Sequence, residues 1–200
     1  MIKPFSIDVD SAVLKDLDYR LTHTRWPDQI GTPWRYGTDS TYLKSLVEYW
    51  QHGFNWREQE AQLNQFDQFT TSIQGKKLHF IHQRSSHDDA MPLLMTHGWP
   101  GSISEFSKII PMLTQPERFG GDSSDAFHLI CPSLTGYGFS EAATSEGFDQ
   151  KQVALQHIEL MQQLDYPQYV VQGGDWGSAV SSWTARLAPQ AVKAMHLTLI

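Results

Sequence analysis

The stretch that most constrains this chain is residues 172–178, which read Gln172-Gly173-Gly174-Asp175-Trp176-Gly177-Ser178. Ahead of it, Tyr169, Val170, Val171 and Gln172 form a short β-branched and aromatic run that reads as a buried strand. Behind it, residues 178–187 carry helical spacing and stop before Pro189. A strand that turns at once into a helix forces the residue at its tip into strained backbone and crowds its neighbours. Gly173 and Gly177, two before and two after Asp175, relieve that crowding. The spacing leaves two uses for Asp175 open: a cap for the following helix, or a nucleophile. A carboxylate with an ordinary pKa of about 3.9 is already ionised at neutral pH. It can attack an activated sp3 carbon and leave an alkyl-enzyme ester, which water and a general base must then break.

Upstream, strands and helices alternate towards this elbow. Residues 66–73 and 77–82 are extended runs about Gln74 and Gly75, a hairpin that opens a sheet. Leu93, Leu94, Met95 and Thr96 form a buried strand followed by His97-Gly98-Trp99-Pro100-Gly101. Ser102 and Glu105 then have capping-box spacing at the start of a helix. Such a loop aims backbone N–H groups beyond the carboxyl edge of the sheet, where an oxyanion hole is built. His97, locked between a strand and Gly98, is expected to hold the shape of that loop rather than act as a base. Residues 127–131 are the next strand, and Gly136, Gly138 and Ser140 mark a tight turn after it. Residues 149–164 form an amphipathic helix with Val153, Leu155, Ile158, Met161 and Leu164 as its apolar face. Residues 194–200 read as a further core strand, with His196 in the core. This alternation predicts an α/β fold with a mostly parallel sheet covered on both faces. Ligands then bind beyond the carboxyl ends of the strands, where Trp99 and Asp175 both lie.

Residues 1–65 read differently, as a helical segment without a catalytic pattern. Residues 11–22 place Val13, Leu14, Leu17 and Leu21 on one face behind Asp10 or Ser11 as N-cap. Residues 40–52 do the same with Tyr42, Leu43, Leu46, Val47 and Trp50, and Asn55 with Glu58 opens a third helix. These aromatic residues either line a ligand groove or dock the segment onto a neighbouring domain, and their helical spacing favours docking. A formal charge of −7 without a dense Lys/Arg run argues against nucleic acid or anionic lipid as partners. The single cysteine, Cys131, fits a reducing compartment. The N-terminus lacks a signal-peptide pattern and no apolar run is long enough to span a bilayer, so a cytoplasmic protein without a membrane anchor is expected. His87, Asp88 and Asp89 have diverging side chains and read as a solvated loop, not as metal ligands.

The chain resembles the microsomal-type epoxide hydrolases, an α/β-hydrolase family with a helical N-terminal segment. The matching residues are Thr24 to Pro27, Tyr42 with Leu43, Tyr49 with Trp50, Trp56 with Arg57, Leu78 to His82, His97 to Ser102, Pro132 to Leu134, Gly136 to Ser140 and Gln172 to Ser178. Thr135 departs from the family's usual proline, which bears on loop stiffness and not on chemistry. The resemblance implies residues 1–65 as the N-terminal segment and residues 66–200 as the first part of an α/β-hydrolase core. It implies Asp175 as nucleophile, and the backbone N–H groups of Trp99 and Trp176 as oxyanion hole beside the substrate. It further implies a small apolar epoxide and water as reactants, with neither cofactor nor metal. Two lid tyrosines, a general-base His and its acid partner belong downstream of Asp175 in such enzymes. The chain is thus expected to be a fragment, inactive alone. The alternatives are a haloalkane dehalogenase, which also has an Asp-Trp elbow, and a non-catalytic remnant. Trp99 after His97-Gly98 and the helical leader count against the dehalogenase.

Overall fold

A computed structural model describes residues 1–199. It contains two compact units, Ile7–Gln62 and Met1–Ser6 together with Leu63–Ile200. In the first, α1 (Ser11–Thr22) and α2 (Ser40–His52) precede α3 (Trp56–Leu63). Asp10 caps α1, accepting from the Ala12 N–H at 2.7 Å, and Asp39 caps α2, accepting from Tyr42 at 2.8 Å. Asn55 opens α3 as its spacing predicts: its Oδ1 accepts from Arg57 and its Nδ2 donates to Glu58 at 2.8 Å. Glu60 ties the unit together, accepting from the Val9 N–H, from Arg57 Nη1 and from Trp56 Nε1 at 2.8, 2.6 and 3.1 Å. Neither α1 nor α2 has a fully buried residue. Their apolar stripes instead line a groove of about 600 Å³ with Leu14, Leu17, Leu21, Leu46, Tyr49 and Trp50 on its walls.

The second unit is built on a sheet. Its strands are β1 (Lys3–Phe5), β2 (Gln68–Ile73), β3 (Lys76–Gln83), β4 (Met91–Thr96), β5 (Phe127–Pro132), β6 (Tyr169–Gly173) and β7 (Val192–Leu197). Among the described residues they are ordered β1-β2-β3-β5-β4-β6-β7. The β2–β3 hairpin turns at Gln74 and Gly75, both at positive φ (52° and 77°), the backbone a tight hairpin requires. β1, β2, β3 and β5 pair antiparallel, whereas β5, β4, β6 and β7 pair parallel. The sheet is therefore mixed, and its parallel half carries the elbow. β1 was not anticipated: residues 3–5 are too short for a periodic signal, and the expected helical segment gives its first residues to the sheet.

Period-two alternation sorts the core onto two faces. Leu94, Ile130 and Val171 join Leu160 and Met161 of α5 (Gln150–Gln163) on one face. Leu93, Met95, Leu129 and Cys131 join Ile103, Phe106 and Ile110 on the other. Ile110 lies in α4 (Ile109–Thr114), and the chain before it is a short 3-10 turn, Ile103–Phe106. The capping box predicted there does not form, because Ser102 Oγ accepts from Ser104 and not from Glu105. The buried face of α5 also differs from expectation. It presents Gln156 and His157 beside Val153, Ala154, Leu160 and Met161, while Leu155 and Ile158 are only half-buried. His196 is exposed, not core: β7 pairs with β6 alone among the described residues, and its residues 193–196 are all exposed.

The sheet unit contains histidines held neutral by burial. His79 donates and accepts through Ser133 Oγ and Gln68 Oε1, and burial pushes it down to about 4. His82 is likewise at about 4 and His157 at about 3, each chiefly through burial. The unfolded chain protonates these rings at their ordinary 6.5 while the folded protein resists. Their contribution to stability is therefore whole above pH 6.5 and is lost as the pH falls towards 4. The urea midpoint is expected to drop steeply across that window, and a flat profile between pH 6.5 and 4 would count against buried neutral rings.

Candidate active site

The elbow is tight because two glycines let backbone touch backbone. α6 (Trp176–Leu187) begins one residue after Asp175. A Cβ on Gly173 would overlap the Gly177 carbonyl, and one on Gly177 would overlap the Thr96 carbonyl at the end of β4. Asp175 itself sits at φ 52° and ψ −124°, a strained conformation for a residue with a side chain. Its carboxylate makes no capping hydrogen bond to the N–H groups further into α6.

The carboxylate points instead at the loop after β4. β4 and β6 are parallel neighbours with Thr96 opposite Gly173, so the loops that leave them emerge side by side. Across that gap the Trp99 N–H donates to Asp175 Oδ1 at 2.8 Å. The N–H groups of Trp176 and Trp99 together hold the Asp175 carboxyl below the ordinary carboxylate range. The group is ionised and solvent-exposed. Gly98 permits the approach, since a Cβ there would stand 2.5 Å from Asp175 Oδ1. The Trp99–Pro100 peptide is cis, and the Trp99 indole is turned outward, 67% exposed.

Asp175, Gly98, Trp99, Glu105, Gly174 and Thr198 line an open cleft of about 470 Å³. Asp175 and Trp99 thus meet at this cleft, and Trp176, next in the chain, turns its N–H to the same carboxyl. Glu105 and Thr198 were missed as cleft residues. Glu105 carried only a helix-capping signal, and Thr198 lies in a run that reads as plain strand. Among the described residues no cluster of three or more His, Cys, Asp or Glu could hold a metal ion. No helix of the described residues is long and apolar enough to cross a membrane. Cys131 is buried in β5 and its thiol is pushed up by burial, far from nucleophilic use.

The mixed sheet with helices on both faces and a strand–elbow–helix at its parallel half define an α/β-hydrolase fold, and a family model of that fold matches residues 91–200. A second model, "Epoxide hydrolase N terminus", matches residues 2–106, and the chain belongs to the epoxide hydrolase family. Epoxide hydrolase 1 of Sus scrofa is 41% identical over 203 residues, covering 99% of this chain and 45% of that protein. The crystal structure of juvenile hormone epoxide hydrolase from Bombyx mori superposes with a TM-score of 0.89 at 38% identity, over 100% of this chain and 53% of the other. The Aspergillus niger epoxide hydrolase follows with a TM-score of 0.86 and 34% identity, over 100% and 52%. The chain spans about half the length of these relatives.

Proposed function

We propose that these residues carry the nucleophilic half of an epoxide-hydrolysing site. Asp175 attacks a ring carbon of a small apolar epoxide. One carboxylate oxygen forms the new C–O bond, the ring C–O bond breaks, and the ring oxygen takes up a proton to give a hydroxyalkyl ester on Asp175. Water then attacks the ester carbonyl, the Trp99 and Trp176 N–H groups hold the oxyanion, and the diol leaves with the carboxylate restored. By resemblance, the ring-opening acid and the base that activates water belong to sequence downstream of Asp175, and residues 1–65 form the segment that precedes the hydrolase core. A cytoplasmic setting accords with the lone buried Cys131.

The observation that carries this reading is the ionised Asp175 carboxylate, held at 2.8 Å by the Trp99 N–H at the mouth of an open cleft. The Trp99 indole, which lines the cleft and is largely exposed, offers apolar surface for a neutral substrate. The test is to incubate the complete enzyme with a styrene-type epoxide, quench with acid and map the adduct by mass spectrometry. The added mass is expected on Asp175. An adduct placed only on another carboxylate or on a histidine would overturn the assignment.

A further inference from the structure

His97 does more than keep its own loop in shape: its ring bonds the peptide before Trp99 directly and reaches the helix of Trp176 through Leu134. The ring is 1% exposed at the end of β4. Its Nε2 accepts from the Leu134 N–H at 3.1 Å, which leaves Nδ1 protonated to donate to the Gly98 carbonyl at 3.1 Å. One ring thus bridges the loop after β4 to the loop after β5. Gly98 directly precedes Trp99, so the first bond fixes the peptide that delivers one donor. Leu134 packs with Val153, Ala154 and Val180, and Val180 lies one turn into α6, the helix whose first residue, Trp176, delivers the other donor. The start of α6 also rests on the strand end beside His97: a Cβ on Gly177 would lie 3.0 Å from the His97 carbonyl. Tyr137 closes the ring edge-on, with centroids 5.4 Å apart.

We propose that His97 is a positioning residue, which sets the register between the Trp99-bearing loop and the N-terminus of α6 so that both N–H groups converge on the Asp175 carboxylate. The idea rests on reading this site as the epoxide-opening centre, but it is tested without turnover. Burial keeps the ring neutral, which the acceptor role of Nε2 requires, and the Gly98 carbonyl and the Glu105 charge oppose this only in part. Glu105 and Asp175 are the ionisable groups that line the cleft, so any change in the titration of Asp175 reports chiefly on its N–H donors.

The experiment is to titrate the Asp175 side-chain carboxyl by carbon-detected NMR in the 200-residue chain, alongside the amide shift of Trp99. Wild type is compared with His97→Ala, His97→Gln and His97→Asn. Gln can keep the acceptor towards Leu134, and Asn can keep the donor towards Gly98. His128→Ala serves as a control at another buried histidine, which lies opposite Pro92 at the far end of β4 from His97. The expected result is an Asp175 pKa that moves up in His97→Ala, with an upfield Trp99 amide, and a partial return in His97→Gln and His97→Asn. His128→Ala should lower the melting temperature without moving the Asp175 titration. If His97→Ala does not fold, the Gln and Asn variants carry the same comparison. An Asp175 titration and Trp99 amide unchanged in every folded His97 variant would reduce His97 to a structural residue and overturn the proposal. That outcome would leave the adduct test on Asp175 unaffected.

Discussion

In the complete enzyme, replacing Asp175 with alanine is expected to abolish covalent capture of an epoxide, and Asp175→Asn is expected to reduce it nearly as far. The two variants separate charge from shape. Asparagine keeps a side-chain oxygen that can accept from the Trp99 N–H, which stands 2.8 Å from Oδ1 in the native site, so the loop after β4 has no reason to move. What it loses is the negative charge that makes the group a nucleophile. Removing the nucleophile of a covalent hydrolase typically lowers the rate by about 10⁶. The backbone supports the same expectation. A residue with a side chain held at φ 52° is strained, and the strain persists only because Gly173 and Gly177 allow β6, α6 and the end of β4 to pack against one another around it. Native-state mass spectrometry after incubation with the epoxide is the readout, with circular dichroism to establish that both variants fold. Capture by either variant at the wild-type rate would remove Asp175 from the chemistry.

The wild-type pH profile of the same capture carries a sign that can be checked. Both N–H donors favour the ionised carboxyl, so Asp175 stays charged to a lower pH than an ordinary aspartate. Capture is therefore expected to hold steady as the pH falls to about 5, and to fail only below the ordinary carboxylate range.

Much of this site was legible in the sequence because its parts are local. The elbow is seven consecutive residues, and Gly173 and Gly177 flag a crowded turn without any knowledge of what crowds it. The loop of His97 to Gly101 announces free N–H groups by its place between a strand and a helix. The parallel order of strands then brings the two together, since neighbouring parallel strands release their chains at the same edge. What stayed hidden depends on partners far away in sequence. Gly98 must be glycine because Asp175, 77 positions later, fills the space beside it. His157 is buried on α5 although helical spacing favours Leu155 and Ile158, because the helix rolls to seat that ring near Thr96, whose Oγ1 lies 3.5 Å from His157 Nδ1. β1 was invisible for a third reason. Three residues carry no usable period, and the strand exists only because the open edge of β2 pairs with it.

Trp99→Pro is expected to slow turnover of the complete enzyme by about 10²–10³, while Trp99→Phe keeps most of the activity. The asymmetry follows from which part of the residue faces the nucleophile. The backbone N–H reaches Asp175 Oδ1 at 2.8 Å, whereas the indole is 67% exposed and turned outward. Proline removes the N–H and fixes φ near −65°. Phenylalanine keeps the N–H and an aromatic face. Loss of one oxyanion donor acts on the step in which charge develops at the ester oxygen, so hydrolysis of the ester should slow more than its formation. In a single-turnover experiment the Trp99→Pro adduct on Asp175 should therefore accumulate and persist, whereas the wild-type adduct decays. The remaining Trp176 N–H, fixed at the start of α6, limits the loss to one donor. Equal losses in the proline and phenylalanine variants would move the role to the indole ring. A proline variant whose adduct decays as fast as the wild type would show that Trp176 alone suffices to hold the oxyanion.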